Sequence, residues 1–429
     1  MIDINIIRTN RNLVEENLKK KYQESKLPIL DEIIELDKKV RDLKINGDNL
    51  RQERNQTSDE IGMLYREKKI EEANSKKERV RTINEELTGI EKEEEELSLK
   101  LKQLMMTIPQ IIDESVPIGK DDTENVELEK FGEPIVPNYE IPYHADILES
   151  ISGLDKESSG RTSGNGFYYL MGDAARLSSA MLSYARDFMI EKGFTYCIPP
   201  FMIRSNVVSG VMSFAEMENM MYKIEGEDLF LIGTSEHSMI GKFKDQILKE
   251  SSLPITMTSY SPCFRKEVGA HGIEERGIYR VHQFEKQEMI VICKPEDSMD
   301  WYNKMWSYTV ELFRNMEIPV RTLECCSGDL ADLKVKSCDI EAWSPRQQKY
   351  FEVGSCSTLG DAQARRLGIR AKGENGTYYL DTLNNTVLAN TRALIALIEN
   401  NYNEDGSINI PNVLRPYMGG KEKIEPNKK

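Results

Sequence analysis

Histidine and tryptophan are scarce in this chain, four and three residues among 429, and its seven cysteines form no C-x-x-C pair. With so few imidazoles and no thiols at ligand spacing, no zinc site is expected. The thiols read as small buried hydrophobes of a reduced, cytoplasmic protein. No apolar run approaches the roughly 20 residues that a membrane crossing needs. The start, "MIDINIIRTN", has no basic segment followed by an apolar stretch and a small-residue cleavage site, so no secretory leader is expected. A surplus of positive charge is missing too. The formal net charge of −15 excludes a protein that coats nucleic acid unselectively, because phosphate binding needs local positive charge. A specific complex formed by one part of the chain stays open.

What is present is a soluble globular composition, 39% hydrophobic and 30% charged, long enough for roughly two to three domains. Residues 1–110 carry 22 basic against 24 acidic side chains, so nearly all of the net negative charge lies beyond them. In that first part Ile33, Leu36, Val40, Leu43, Leu50, Ile61 and Leu64 follow steps of three and four, interrupted at Gly47, Arg54 and Thr57. Val80, Ile83, Leu87, Ile90, Leu97, Leu101 and Leu104 repeat the pattern, with Glu94 outside it. Two heptad seams separated by the polar "YREKKIEEAN" predict an antiparallel helical hairpin, each arm about 50 Å long. Such a hairpin is a spacer, a binding arm or a coiled-coil dimerisation element.

Residues 111–137, rich in proline, glycine and acids, read as a connector. Beyond them "GFYYLM", "FTYCIPPFMI", "LFLIGTSE", "QKYFEVGSCS" and "TYYLDTL" resemble strands. A helix capped by Asp173 and closed by Gly193 is expected, and a last one from about Asn390 to Asn401. Strands joined by hairpins, with helices set apart, predict an α+β body on an antiparallel sheet.

The stretch "CFRKEVGAHGIEERGIYRVHQFEKQEMIVI" is the most telling. Arg265 and Glu267 stand two apart, then a loop follows with Gly269, Gly272 and Gly277. Arg280, His282, Phe284, Lys286 and Glu288 then share one parity, which on a strand means one face. A cross-strand salt-bridge ladder is one reading. The other is a nucleoside triphosphate site, because guanidinium groups grip phosphate oxygens in pairs and an aromatic ring stacks on a base. The glycine-rich loop has the composition of a mobile flap.

This stretch resembles the second signature motif of class II aminoacyl-tRNA synthetases, and in detail that of the seryl-tRNA synthetases. "LNNTVLANTRALIALIENN" with "LRPYMGG" is similar to the third motif, and "CIPPFMI" to the first. "LIGTSEHS", "CSGDLADLKVKSCDIEAW" and "EVGSCSTLGDAQARRLGIR" resemble the serine family's other blocks, in its order. The resemblance spans essentially the whole chain. It implies a class II catalytic body at 138–429, a tRNA-binding helical arm within 1–110, and a homodimer built on the first-motif segment. It also implies ATP and L-serine as substrates, Mg2+ as cofactor, and tRNA(Ser) as acceptor, with tRNA(Sec) as a further one.

Carried over by position, the resemblance gives Arg265 the α-phosphate of ATP, Glu267 the adenine amino group and Phe284 the face of the adenine. Arg280 would approach the phosphates and Arg392 the γ-phosphate; with Arg265 these are the candidate catalytic groups. Glu352 and Ser355 correspond to positions that hold magnesium and phosphate oxygens. Glu288 corresponds to the carboxylate that meets the serine α-ammonium. Thr234 and Glu236, with Arg265, Asn384 and Thr386, complete the serine pocket. The pattern departs from the family at Gly354, commonly serine, at Thr358, commonly asparagine, and at Ala362, commonly aromatic. "GVMSFAEMENMMYKI" also lacks a Gly-Thr-Gly-Gln-Leu-Pro run. Two alternatives stand beside this reading: a paralogue that activates serine or an analogue for a carrier protein or biosynthetic pathway, and a non-catalytic coiled-coil binding protein.

Overall fold

The structure, a computed structural model, describes residues 1–267 and 277–427. It divides into two compact units, Ile2–Ile108 on one side and Pro109–Lys429 with Met1 on the other. The first unit is dominated by two long helices, α1 (Leu27–Arg66) and α2 (Ile70–Met105), joined by three residues. Their 40 and 36 residues span about 60 and 54 Å. Ile33, Leu36, Val40, Ile83 and Leu87 are buried along the seam.

The seam also runs through the positions where the heptad reading breaks. Gly47 and Thr57 of α1 and Ala73 of α2 are buried. Small residues are therefore buried where the hydrophobic pattern is interrupted. Exposed ion pairs cross the hairpin at Arg79–Glu53 (2.8 Å) and Arg51–Glu91 (3.0 Å). Each adds little stability and fixes the pairing of the arms more than its strength.

The second unit is built on an eight-stranded sheet. Its strands are β1 (Val126–Phe131), β2 (Thr195–Cys197), β3 (Ile255–Phe264), β4 (Gln283–Cys293), β5 (Val320–Glu324), β6 (Lys336–Ser344), β7 (Lys349–Thr358) and β8 (Asp381–Ala389). They lie in the order β1-β5-β6-β7-β8-β4-β3-β2, antiparallel except for the β2–β3 pair. Residues 111–137, expected to be only a connector, thus supply an edge strand. "FTYCIPPFMI" does not run as one strand: β2 ends before Pro199 and Pro200, neither of which can donate to a ladder, and Met202–Ile203 pairs elsewhere.

Three helices matter for the site's support: α3 (Gly172–Glu191), α5 (Ser298–Asn315) and α7 (Asn390–Asn400). Asp173 does not cap α3; Met171 holds the cap position, and Asp173 lies in the first turn, ion-paired with Lys421. Gly193, at φ +87°, ends the helix as expected, donating to the Ile190 carbonyl. In α7 every residue from Ala393 to Glu399 is buried, as a helix that lies inside a core must be.

Leu394, at 0% exposure, anchors α7. Leu394→Ala is expected to lower the unfolding free energy by about 2–5 kcal/mol in urea titration; a loss below about 1 kcal/mol would show that α7 is not seated as described.

Candidate active site

One face of the sheet has long polar side chains opposite very small ones. In the β3–β4 pair, Phe284 stands across from Cys263, Lys286 from Ser261 and Glu288 from Ser259. The three small residues are themselves fully buried, and it is the longer side chains of β4 that reach the hollow. Across β4 on the other side, Thr386 is opposite Glu288 and Asn384 opposite Ile290, so both fall on this same face. On β7, Ser357 pairs with Asn384, which places Ser355 on that face as well.

Glu352 has the wrong parity to join Ser355 on a regular strand. A bulge between Ile340 and Glu341 in the β6–β7 register corrects this: Ile340 faces Gly354, but Glu341 faces Glu352, leaving Val353 as the extra residue. The bulge turns Glu352 to the cavity. Its Oε2 accepts from an Arg392 Nη at 2.8 Å, and the same nitrogen donates to the Glu352 carbonyl at 3.2 Å. Burial pushes the Glu352 carboxyl up, but Arg392, Lys334 and Arg265 together hold it below its usual range. Arg392 also lies over the Tyr279 ring, 4.6 Å from its centroid.

Beside this pair, Asp339 stands opposite Ser355 and is hydrogen-bonded to it. Burial, and then the charge of Glu352, raise the Asp339 carboxyl to about 6. Lys334 also lines this end; burial pulls its ammonium down, and Asp339 foremost among its neighbours more than compensates, so that it stays raised. Among the described residues one group of potential metal ligands emerges, Cys325 with Asp329 and Asp339. Burial drives the Cys325 thiol far up, so it stays protonated at neutral pH.

The expected ladder of Arg265, Glu267, Arg280 and Glu288 takes a different form. β3 ends at Phe264 and β4 starts at Gln283, so Arg265, Glu267, Arg280 and His282 flank the strands. The hairpin pairing extends one step further, with the Arg265 N–H donating to the His282 carbonyl at 2.9 Å. His282 Nδ1 sits 3.0 Å from the Arg265 carbonyl, a structural role. The Arg265 guanidinium donates to the Gly233 carbonyl at 3.2 Å and lies 5.3 Å from the centre of the Phe284 ring. Arg280 reaches Glu267 at 3.5 Å. Glu267 has φ +46°, a left-handed backbone that aims it away from regular pairing. Gly269, Gly272 and the flap reading fall outside the described residues; Gly277 is described, and a Cβ there would strike His144 Nε2 at 2.0 Å.

The inner end of the hollow is almost closed. Thr234 caps the short helix α4 (Ser235–Gly241), its Oγ1 accepting from the Glu236 N–H at 3.4 Å. Glu236 is buried; burial and the neighbouring Glu288 push its carboxyl up to about 7. Gln363, Lys286 and Asn384 pull it back without prevailing. Lys286 and Glu288 form an ion pair whose side chains are 7% and 2% exposed. His237 is buried and pushed down to about 3 by burial, with Arg265 and Lys286 adding to the shift.

All of the expected residues therefore line one cavity of about 470 Å3. Sequence reasoning missed Lys334, Asp339, Tyr279 and Gln363, and gave Lys286 a face but no role. The departures from the family pattern can be placed as well. A Cβ on Gly354 would lie 3.2 Å from the Thr386 carbonyl, Thr358 shares a hydroxyl contact with Ser298 at 3.0 Å, and Ala362 is fully buried. Phe214–Met220 is helical and starts with a capping box from Ser213 and Glu216.

Residues 1–112 match the family described as Seryl-tRNA synthetase N-terminal domain, and residues 220–401 match the tRNA synthetase class II core domain (G, H, P, S and T). The serine–tRNA ligase of Thermococcus sibiricus is 42% identical, covering 100% of this chain and 99% of the relative. That of Methanoculleus marisnigri is 37% identical over 99% of this chain and 100% of its own. Among solved structures, seryl-tRNA synthetase from Pyrococcus horikoshii complexed with ATP superposes with a TM-score of 0.94 at 39% identity, over 100% of both chains. The cytoplasmic serine–tRNA ligase of Naegleria fowleri in complex with AMP gives 0.88 at 29% identity, over 100% of this chain and 99% of that one.

His237 yields a test of the burial described. Its folded-state pKa, about 3, lies below the ordinary 6.5, so the unfolded chain takes up a proton that the folded one refuses. Stability from this group is complete above about pH 6.5 and falls as the pH drops toward about 3. Urea unfolding across that range is expected to show a steeper acid decline for the wild type than for His237→Gln; equal slopes would mean that His237 is not buried neutral.

Proposed function

The chain belongs to the seryl-tRNA synthetase family, and we propose that the cavity over β4 is where it joins serine to ATP and then to tRNA. It is a serine–tRNA ligase: the serine carboxylate attacks the α-phosphorus of ATP, pyrophosphate leaves, and a terminal ribose hydroxyl of tRNA(Ser) then displaces AMP from the seryl-adenylate. The observation that carries the site assignment is the division of one hollow. An aromatic ring and three guanidiniums lie at its open part, and two buried carboxylates with an ammonium at its inner end. A nucleotide fits the first, and a small zwitterion the second.

Phe284 offers the stacking face for adenine, and Glu267 the acceptor for its amino group. Arg265, Arg280 and Arg392 face the phosphates, where preset cations stabilise the charge that spreads as the α-phosphorus is attacked. Arg280 and Arg392 are paired with Glu267 and Glu352, at 3.5 and 2.8 Å. Glu288 takes the serine α-ammonium, the charge that Lys286 supplies in the free site. Arg265 is placed to meet the serine carboxylate at the junction. Thr234, Glu236, Asn384 and Thr386 surround the side chain. A site that pairs a hydroxyl rejects its deoxy analogue by factors of about 10⁴–10⁵, and a close wall rejects an added methyl less strongly.

The residues fit magnesium. Glu352 and Ser355, with Asp339 against Ser355, present hard oxygen donors, and crowding of the two carboxylates is what a divalent cation relieves. Held there by Glu352 and Ser355, the ion would neutralise charge on the phosphates. Among the described residues no helix is long and apolar enough to cross a membrane. The working form proposed is a cytoplasmic homodimer. Ile198, at 68% exposure, and Met202 beside it leave the first-motif segment apolar and open, which suits a subunit contact. The helical hairpin is proposed as the tRNA-binding arm. Its presence, with the full set of cavity residues, weighs against the carrier-loading paralogue and the non-catalytic coiled-coil protein.

Purified protein with ATP, Mg2+ and serine is expected to exchange labelled pyrophosphate, and Arg265→Ala to lose on the order of 10²–10³ in rate with an unchanged melting temperature. Full exchange by that variant would refute the phosphate role. Removal of residues 31–105 is expected to leave exchange intact and abolish charging of tRNA; undiminished charging would refute the arm's role.

A further inference from the structure

A side chain from outside the catalytic sheet holds Glu236 at the inner end of the cavity. Gln363, 0% exposed, comes from the short helix α6 (Ala362–Leu367). Its Nε2 donates to Glu236 Oε1 at 2.8 Å and to the Val211 carbonyl at 3.1 Å. Its Oε1 accepts from Thr382 Oγ1 at 2.6 Å. Turning the amide over would aim its oxygen at a carboxylate and a carbonyl, both acceptors. Its three partners therefore fix one orientation, with N–H toward Glu236. Thr382, also fully buried, lies on β8, the strand that carries Asn384, and Asn384 hydrogen-bonds Glu236 as well.

Glu236 is thus held by two neutral donors on different elements, with no cation bonded directly to it among the described residues. The charged and titratable groups around it are Glu288 and Lys286 of β4 and His237 on its own helix, while on α6 Arg366 turns to the Ser209 and Met212 carbonyls and Arg365 pairs with Asp361. The neighbouring segments Ser205–Val211 and Met202–Ile203 contribute none. Of the interactions that oppose protonation of Glu236, the bond from Gln363 is the strongest, ahead of Lys286 and Asn384. A neutral donor suits this task. A lysine or arginine here would neutralise the carboxylate, whereas an amide orients it and leaves its charge free.

We infer that Gln363 is a positioning residue for amino-acid recognition: it holds the Glu236 carboxylate as a fixed, charged acceptor for the polar groups of incoming serine. This rests on the proposed place of Glu236 in the serine pocket. Gln363 itself touches no substrate; it acts through Glu236. Its loss lets Glu236 take a proton more readily, and a protonated Glu236 no longer presents a charged acceptor.

The test is the pH dependence of kcat/KM for serine in pyrophosphate exchange between about pH 5.5 and 8.5, which reports the free enzyme's groups. The wild type is expected to lose activity toward acid around pH 7, where Glu236 titrates. Gln363→Met should move that limb upward by about one pH unit. At neutral pH it should raise KM for serine about tenfold while leaving kcat and the KM for ATP within about twofold. Glu236→Gln should remove the limb. If Glu236→Gln keeps the wild-type limb and serine KM, Glu236 does not belong to the serine pocket, and both readings fall. If Glu236→Gln removes the limb while Gln363→Met leaves it at the wild-type pH, the inference about Gln363 alone is overturned. Should Gln363→Met not fold, Thr382→Val frees the amide in place and is expected to move the limb in the same direction, with Thr382→Ser restoring it; an unmoved limb in Thr382→Val would overturn the inference equally.

Discussion

Burying charge on a sheet face is expensive, several kcal/mol for each ion taken from water, unless every charge meets a partner. The cavity depends on how this chain satisfies that condition before any ligand arrives. Lys286 neutralises Glu288, Arg280 meets Glu267, and Arg392 meets Glu352. Each pair has one member proposed to bind a charged part of the substrates. The site is thus held together by internal ion pairs, and the proposed substrates would replace one partner of each. Glu236 has no such cation and is held by amides, so its charge is the most sensitive to its surroundings.

The backbone makes this arrangement possible through two departures from regularity. The bulge at Val353 brings Glu352 round to the face of Ser355. A second, between Thr386 and Leu388, lies where β8 leaves the hollow and turns into α7, which carries Arg392. Opposite Glu288, Lys286 and Phe284, the small residues Ser259, Ser261 and Cys263 are fully buried, so the cavity is lined from β4 and not from β3. The strands supply the floor of the cavity, and the segments that flank them supply Arg265, Glu267, Arg280 and Lys334.

Much of this was legible in the chain, and what was not has a physical reason. The helical hairpin could be read because heptads leave a periodic record, though Gly47 and Thr57 looked like breaks and are buried. The common face of Phe284, Lys286 and Glu288 follows from parity alone. Glu352 and Ser355 have opposite parity, and a bulge carries no compositional signature, so only the resemblance could join them. Gln363 and Asp339 are brought to the site by helix packing and strand order across long separations in sequence, which no local pattern records. The "DAQARR" block was noticed for what Ala362 lacks, while its neighbour Gln363 makes the contact.

The central claim is that the ion pairs of the free cavity stand in for substrate charges. A crystal structure with a non-hydrolysable seryl-adenylate analogue tests it directly. The analogue is expected over the Phe284 ring, with its α-ammonium on Glu288 and Lys286 drawn aside, and with Arg280 turned from Glu267 to the ligand. If the analogue binds elsewhere and those pairs remain closed on one another, the account is wrong.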